Sequence, residues 1–217
     1  MKKLLVFMMT LLMVLTMTGC GDPKEPEKPK LTEEQAIEFV KGLPQSIPDL
    51  EKMAENMFNM NTLLDLVNVK AEDTILDKSA PLDEFNNGVG AVDVELLQAR
   101  INEVYFKEYD IATLFKDFIE DGKLIAPVNI LTDLPGDVEF VYGEEIFEIH
   151  EAGDNYIVVK RHIPITLVYS TDNVEYDKSL DAYYTVVLTD NGPRVYSFDR
   201  VAVGAREPKI ELPEVVE

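Results

Sequence analysis

The chain has one cysteine, no tryptophan and two histidines in 217 residues, and acidic residues outnumber basic ones 41 to 20. A single thiol cannot close an intrachain disulfide. The formal net charge of −21 excludes a nucleic-acid partner, because phosphate backbones require a basic patch. It also opposes attraction to anionic lipid headgroups. No apolar run reaches the roughly 20 residues of a membrane-spanning helix. The hydrolase elbow, the zinc-protease helix and the phosphate loop are missing as sequence patterns. Gly88-Val89-Gly90-Ala91-Val92-Asp93 begins like a dinucleotide fingerprint but lacks the third glycine. Asp83 to Glu95 begins like a calcium loop, but Phe85 and Val94 stand where ligands are needed. No cofactor and no metal are expected.

The clearest positive signal is at the start. Met1-Lys2-Lys3 precedes an apolar stretch from Leu4 to Met17, which is followed by Thr18-Gly19-Cys20. A basic segment, an apolar segment and small residues before a cut form a secretory signal. Met17-Thr18-Gly19-Cys20 resembles the lipobox of bacterial lipoproteins, with Met17 where that family usually has Leu. The resemblance implies cleavage after Gly19 and a diacylglyceryl (palmitate-type) anchor on Cys20. The lone cysteine of the chain stands at the cut, which argues against an ordinary signal with an incidental thiol. Removing Lys2 and Lys3 takes the net charge from −21 to −23. Two or more acyl chains give stable anchoring where one is marginal. The expected location is therefore the extracytoplasmic face of the cell membrane, with the membrane itself as one partner through Cys20. Gly21 to Lys30 follows with three prolines and mixed charge, a semi-extended tether spanning roughly 30 Å. The expected organisation is signal 1–19, lipidated tether 20–31, one domain 32–205 and an acidic tail 206–217.

Within the domain the pattern changes once. Residues 32–122 read as helical. Thr32-Glu33-Glu34-Gln35 is a capping box, and the helix it opens stops before Pro44. A helix interrupted by asparagines is expected over 49–67, irregular chain over 70–92, and helices from Asp93 to Tyr105 and from Asp110 to Glu120, with Gly122 as a stop. Residues 123–205 form the sheet half, where alternation predicts strands near 138–150, 155–169, 179–189 and 194–203. Hairpin turns are expected at Ala152-Gly153-Asp154 and at Asn191-Gly192. The expected class is α+β, with N-terminal helices on a curved antiparallel meander of about four strands. This element order over 32–204 resembles the nuclear-transport-factor-like cone folds and the cystatin-like folds, which implies a curved sheet wrapped around helices.

Register arithmetic then yields candidate site residues. A hairpin centred on Gly153 sets His150 against Tyr156, His162 against Glu144 and Arg161 against Glu145. The two histidines fall about 20 Å apart and cannot share a metal within that hairpin. Pivoting the last hairpin on Asn191-Gly192 sets Tyr184 against Asp199. Glu145, Arg161, Tyr184 and Asp199 could then line one polar spot in an apolar pocket. The reading favoured by the sequence is nevertheless a structural ion pair, since buried charges need partners. Two functions are compatible with these residues. One is a non-catalytic binding or interaction module for an unidentified protein or small molecule. The other is a cone-fold enzyme with Asp199 or Glu145 as general base and Tyr184 or Arg161 stabilising charge. Calcium-dependent adhesion would suit the acidity but has no ligand loop. The module is the preferred expectation.

Overall fold

The computed structural model describes residues 30–57, 59–82, 87–130, 138–169 and 174–213. The signal, Cys20 and the tether up to residue 29 lie outside these. Among the described residues no helix is long and apolar enough to cross a membrane.

The first helix, α1 (Glu33–Lys41), starts as its sequence requires. The Gln35 amide donates to Thr32 Oγ1 at 3.2 Å and the Thr32 amide donates to Gln35 Oε1 at 3.0 Å, closing the capping box. Ala36 and Val40, four residues apart, are its buried face. The expected helix over 49–67 is two short ones, α2 (Leu50–Glu55) and α3 (Asn61–Leu66). Asparagine chemistry accounts for the interruption. Asn61 pairs through its side-chain amide with the Asn129 backbone, donating to its carbonyl at 2.8 Å and accepting from its N–H at 2.9 Å. That side chain serves as an extra strand rung, a contact a regular helix through this stretch does not provide.

A one-turn helix, α4 (Ala71–Thr74), and β1 (Asn87–Asp93) follow in the stretch read as irregular. Helix α5 (Val94–Val104) is capped by Asp93, which accepts from the Glu95 amide at 2.8 Å. It buries Leu97, Ile101 and Val104, the i, i+4, i+7 stripe of its sequence. The expected helix to Glu120 is corrected. The chain makes only α6 (Ile111–Leu114) and a 3₁₀ turn (Lys116–Phe118) before β2 (Ile119–Glu120) and β3 (Lys123–Asn129). Asp121 (φ 48°) and Gly122 (φ 76°) form the two-residue turn of this hairpin, so Gly122 ends no helix. These strands make an antiparallel sheet in the order β1-β3-β2.

The remaining strands are β4 (Val138–Tyr142), β5 (Ile146–Ala152), β6 (Tyr156–Ile163), β7 (Ile165–Tyr169), β8 (Val174–Asp177), β9 (Leu180–Thr189) and β10 (Gly192–Ala202). They form a four-stranded sheet β10-β9-β6-β5 and a three-stranded sheet β4-β7-β8. The class is α+β as expected, but among the described residues ten strands in three antiparallel sheets replace the single meander of about four. The first two expected strands are each cut in two. Pro164 separates β6 from β7 because it has no N–H to donate. The chain crosses this level at Gly143, whose N–H reaches the Pro164 carbonyl at 3.0 Å, and a Cβ on Gly143 would lie 2.9 Å from Pro164 Cβ. On the third segment Ser179 breaks the path, its hydroxyl and amide both bonded to Asp177 Oδ1 at 2.6 and 2.9 Å.

One apolar cluster joins the helices to the sheets. It runs from Ala36 and Val40 through Leu63, Leu97 and Ile101 to Val128, Val159, Tyr184 and Val195. On the opposite face of the four-stranded sheet, Val158, Tyr183 and Val201 form a small second cluster with Ile210.

Candidate functional site

Arg161 lies on the helix-facing side of β6, paired across the sheet with Phe147 on β5 and Ala182 on β9. The observed register places Phe147, rather than Glu145, directly opposite. The guanidinium still reaches Glu145, in the β4–β5 connection, with Nε and Nη2 at 2.9 and 2.7 Å from Oε2. Its Nη1 donates to the Leu43 carbonyl at 2.9 Å, and its Cζ lies 5.4 Å from the Phe147 ring centroid. Gln45 Nε2 donates to the other Glu145 oxygen at 2.6 Å, and the Tyr184 hydroxyl donates to the Pro44 carbonyl at 3.1 Å. Burial pushes the Tyr184 phenol above its ordinary value, against a downward pull from Arg161.

Three of the four proposed residues thus meet, and what fills the space between them is the protein's own α1–α2 connection. Arg161 is only 7% exposed, so its charge must be neutralised inside the fold, and Glu145 does this. Among the described residues no buried side-chain N or O lacks a partner. The neighbouring cleft, about 620 Å³, is lined by Pro44, Gln45, Asn61, Asp65, Lys70 and Arg200 among others, without Arg161, Glu145 or Tyr184. The arrangement is a clamp holding residues 43–45 to the sheet.

Asp199 is elsewhere, which corrects the four-residue pocket. The last hairpin turns on Asp190-Asn191 with Gly192 at φ 99°, one residue earlier than expected. That shifts the pairing by two residues, and a bulge between Val195 and Ser197 takes back one, leaving a net slip of one at Asp199. A one-residue slip exchanges the faces of a strand. Phe198 therefore pairs with Tyr184, while Asp199 pairs with Tyr183 on the opposite face. There Asp199 takes both Nη groups of Arg206 at 2.7 Å and the Lys209 amide at 2.7 Å. The Arg206 hydrogen bonds hold its carboxyl below the ordinary carboxylate range, unlike a general base suited to neutral pH. Glu211 accepts at its carbonyl from Thr185 and Ser197 at 3.0 and 2.8 Å. Residues 206–211 are a strap across the outer face of the sheet rather than a free acidic tail.

The histidine geometry also changes. His162 pairs with Ile146, not Glu144, and its Nδ1 lies 2.7 Å from Asp181. Lys160 reaches the other Asp181 oxygen at 3.2 Å. His150 meets the edge of Tyr183 at 5.1 Å instead of facing Tyr156. Among the described residues no group of His, Cys, Asp and Glu could hold a metal ion.

The sequence reading missed a different feature, on the three-stranded sheet. Its register aligns Phe140, Leu167 and Tyr176 in one row and Tyr142 with Ile165 in the next, with Tyr169 on the same face. Phe140 and Tyr142 stack at 6.4 Å, and Tyr169 meets Tyr176 edge-on at 5.6 Å. Phe140, Tyr142 and Tyr176 are 40%, 60% and 50% exposed, and among the described residues no helix packs extensively on this sheet. The reverse face carries Glu139, Glu175 and Asp177. By alternation, the aromatic face continues the odd-numbered side of β6 that bears Ile157, Val159 and Arg161. The apolar side of the long strands thus extends beyond its helical cover. The signal in the sequence was period-two alternation in Val138–Tyr142 and Val174–Asp177, the latter not read as a strand.

Comparison with protein families, with curated proteins and with solved structures finds no match to this chain.

Proposed function

We propose that this protein is a bacterial lipoprotein held at Cys20 on the outer face of the cytoplasmic membrane, where it acts as a non-catalytic interaction module. Its docking surface is the aromatic face of β4, β7 and β8. The observation carrying this reading is the exposed set of Phe140, Tyr142 and Tyr176, with the half-buried Tyr169 packed edge-on against Tyr176. Exposed contiguous apolar patches on soluble domains mark contact surfaces, and aromatic side chains are the usual interface anchors. The lipobox-like Met17–Cys20 supports the location, and the tether sets the domain off the lipid surface. The enzyme alternative lacks comparable support, because Glu145 is bound by Arg161 and Gln45 and Asp199 by Arg206.

The test replaces Tyr142 by a photo-crosslinking amino acid in the full chain, expressed in its native membrane. Irradiation is expected to give a discrete adduct, while the same probe at exposed Lys123, on a different sheet, gives none. Cys20→Ala is expected to abolish fatty-acid labelling and release the chain from the membrane fraction. Loss of labelling without any Tyr142 adduct would leave the anchor and remove the docking surface.

A further inference from the structure

Both edges of the three-stranded sheet are open among the described residues, because β4 and β8 each have β7 as their one neighbour. Every residue from Glu139 to Glu144 and from Glu175 to Lys178 is exposed. An open edge presents unpaired N–H and C=O groups to any extended chain. β8 reads Val-Glu-Tyr-Asp, so an added strand would meet Tyr176 on the aromatic face and both Glu175 and Asp177 on the other. β4 has Phe140 and Tyr142 on one face and Glu139 with the exposed Val141 on the other, so β8 is the more acidic edge. Lys178 is the one cation in these two strands and the residues flanking them over 138–145 and 174–179.

We propose, building on the interaction-module reading, that this edge takes up an extended peptide of alternating apolar and basic residues as a further strand. Its apolar side chains lie on the aromatic face. Its lysines or arginines stand opposite Glu175 and Asp177 on β8, the edge with two carboxylates on one face. Charge decides against the other occupants. A second copy paired through β8 would set carboxylates against carboxylates, which is destabilising directly across a ladder. Anionic lipid is repelled by the same groups. The tether carries Lys24, Lys28 and Lys30, but Pro23, Pro26 and Pro29 remove the donors that a strand needs. Main-chain pairing supplies affinity in this mode and alternate side chains supply selectivity.

The probe is a short alternating lysine–valine peptide with a terminal tryptophan, titrated into the full-length protein in detergent. The chain has no tryptophan, so indole emission reports the peptide alone. Saturable binding is expected, about tenfold or more tighter than for the glutamate–valine counterpart, and weakening with salt. Glu175→Lys should reverse the preference, so that the glutamate peptide becomes the better ligand. Tyr176→Ser should weaken both. Far-UV circular dichroism confirms that each variant is folded. Equal binding of the two peptides, or none, overturns the proposal, as does an unchanged preference in Glu175→Lys. A Tyr142 crosslink persisting alongside a failed titration would leave the docking surface and remove the basic peptide as its partner.

Discussion

Replacing Arg161 by methionine keeps most of the side-chain volume and removes the charge. Two donated hydrogen bonds disappear, one to Glu145 and one to the Leu43 carbonyl, together with the ion-pair contact from Nη2 to Glu145. Breaking a buried ion pair from one side costs about 3–5 kcal/mol where the remaining charge is sealed in. The Glu145 side chain is 24% exposed and keeps Gln45, so water relieves part of that cost. About 2 kcal/mol is left for the stranded carboxylate, and about 1 kcal/mol is added for the unpaired Leu43 carbonyl. The total of about 3 kcal/mol corresponds to a melting temperature lower by roughly 6–12 °C for a domain of this size. Urea unfolding followed by tyrosine emission measures it. Removing both charges, in Arg161→Met with Glu145→Leu, should recover most of the loss, because neither partner is then left buried and alone. Arg161→Met within about 0.5 kcal/mol of the parent would refute the clamp, since surface changes have effects of that size. A double variant as unstable as the sum of the singles would refute the pairing.

Tyr184→Phe removes one neutral hydrogen bond to Pro44 and should cost about 1 kcal/mol in the same urea titration. Acid should release the strap. Arg206 holds the Asp199 carboxyl below its ordinary value, so the stabilisation is complete above about pH 4 and is lost as pH falls through the depressed value. Hydrogen exchange of residues 206–211 should therefore rise below about pH 4 in the parent, whereas Asp199→Asn exchanges fast throughout. Equal protection of the two proteins at neutral pH would contradict it. The triple change Phe140→Ser, Tyr142→Ser and Tyr176→Ser should shift stability by little, about 1 kcal/mol or less, because these side chains are 40–60% exposed. A loss comparable to that of a core substitution would mean that the face is part of the core.

What the sequence revealed depended on how local the determinant was. The capping box of α1 and the helical periodicity starting at Asp93 are written within a few residues, and the structure has both. Strands β9 and β10 follow from alternation and appear near their expected limits. The Arg161–Glu145 pair survived a register error of two residues, because a shift of two keeps the face and a guanidinium spans the difference. Asp199 did not survive, because a turn misplaced by one residue and a bulge combine to an odd shift near it. Bulges depend on cross-strand packing and leave no clear local mark. β1 was hidden by its glycines, Gly88 and Gly90, which depress strand propensity although the strand pairs fully with β3. The asparagine at position 61 announced a broken helix but not its partner 68 residues away. The aromatic face escaped because its exposure depends on where the helical layer ends, a tertiary fact.

Hydrogen exchange of β4 and β8, compared between the full chain in its native membrane and the purified protein, tests the docking surface most directly. The account predicts protection in the membrane over 138–142 and 174–177, lost in the triple serine variant while the core strand β9 stays unchanged. Identical exchange of these two strands in both settings would contradict it.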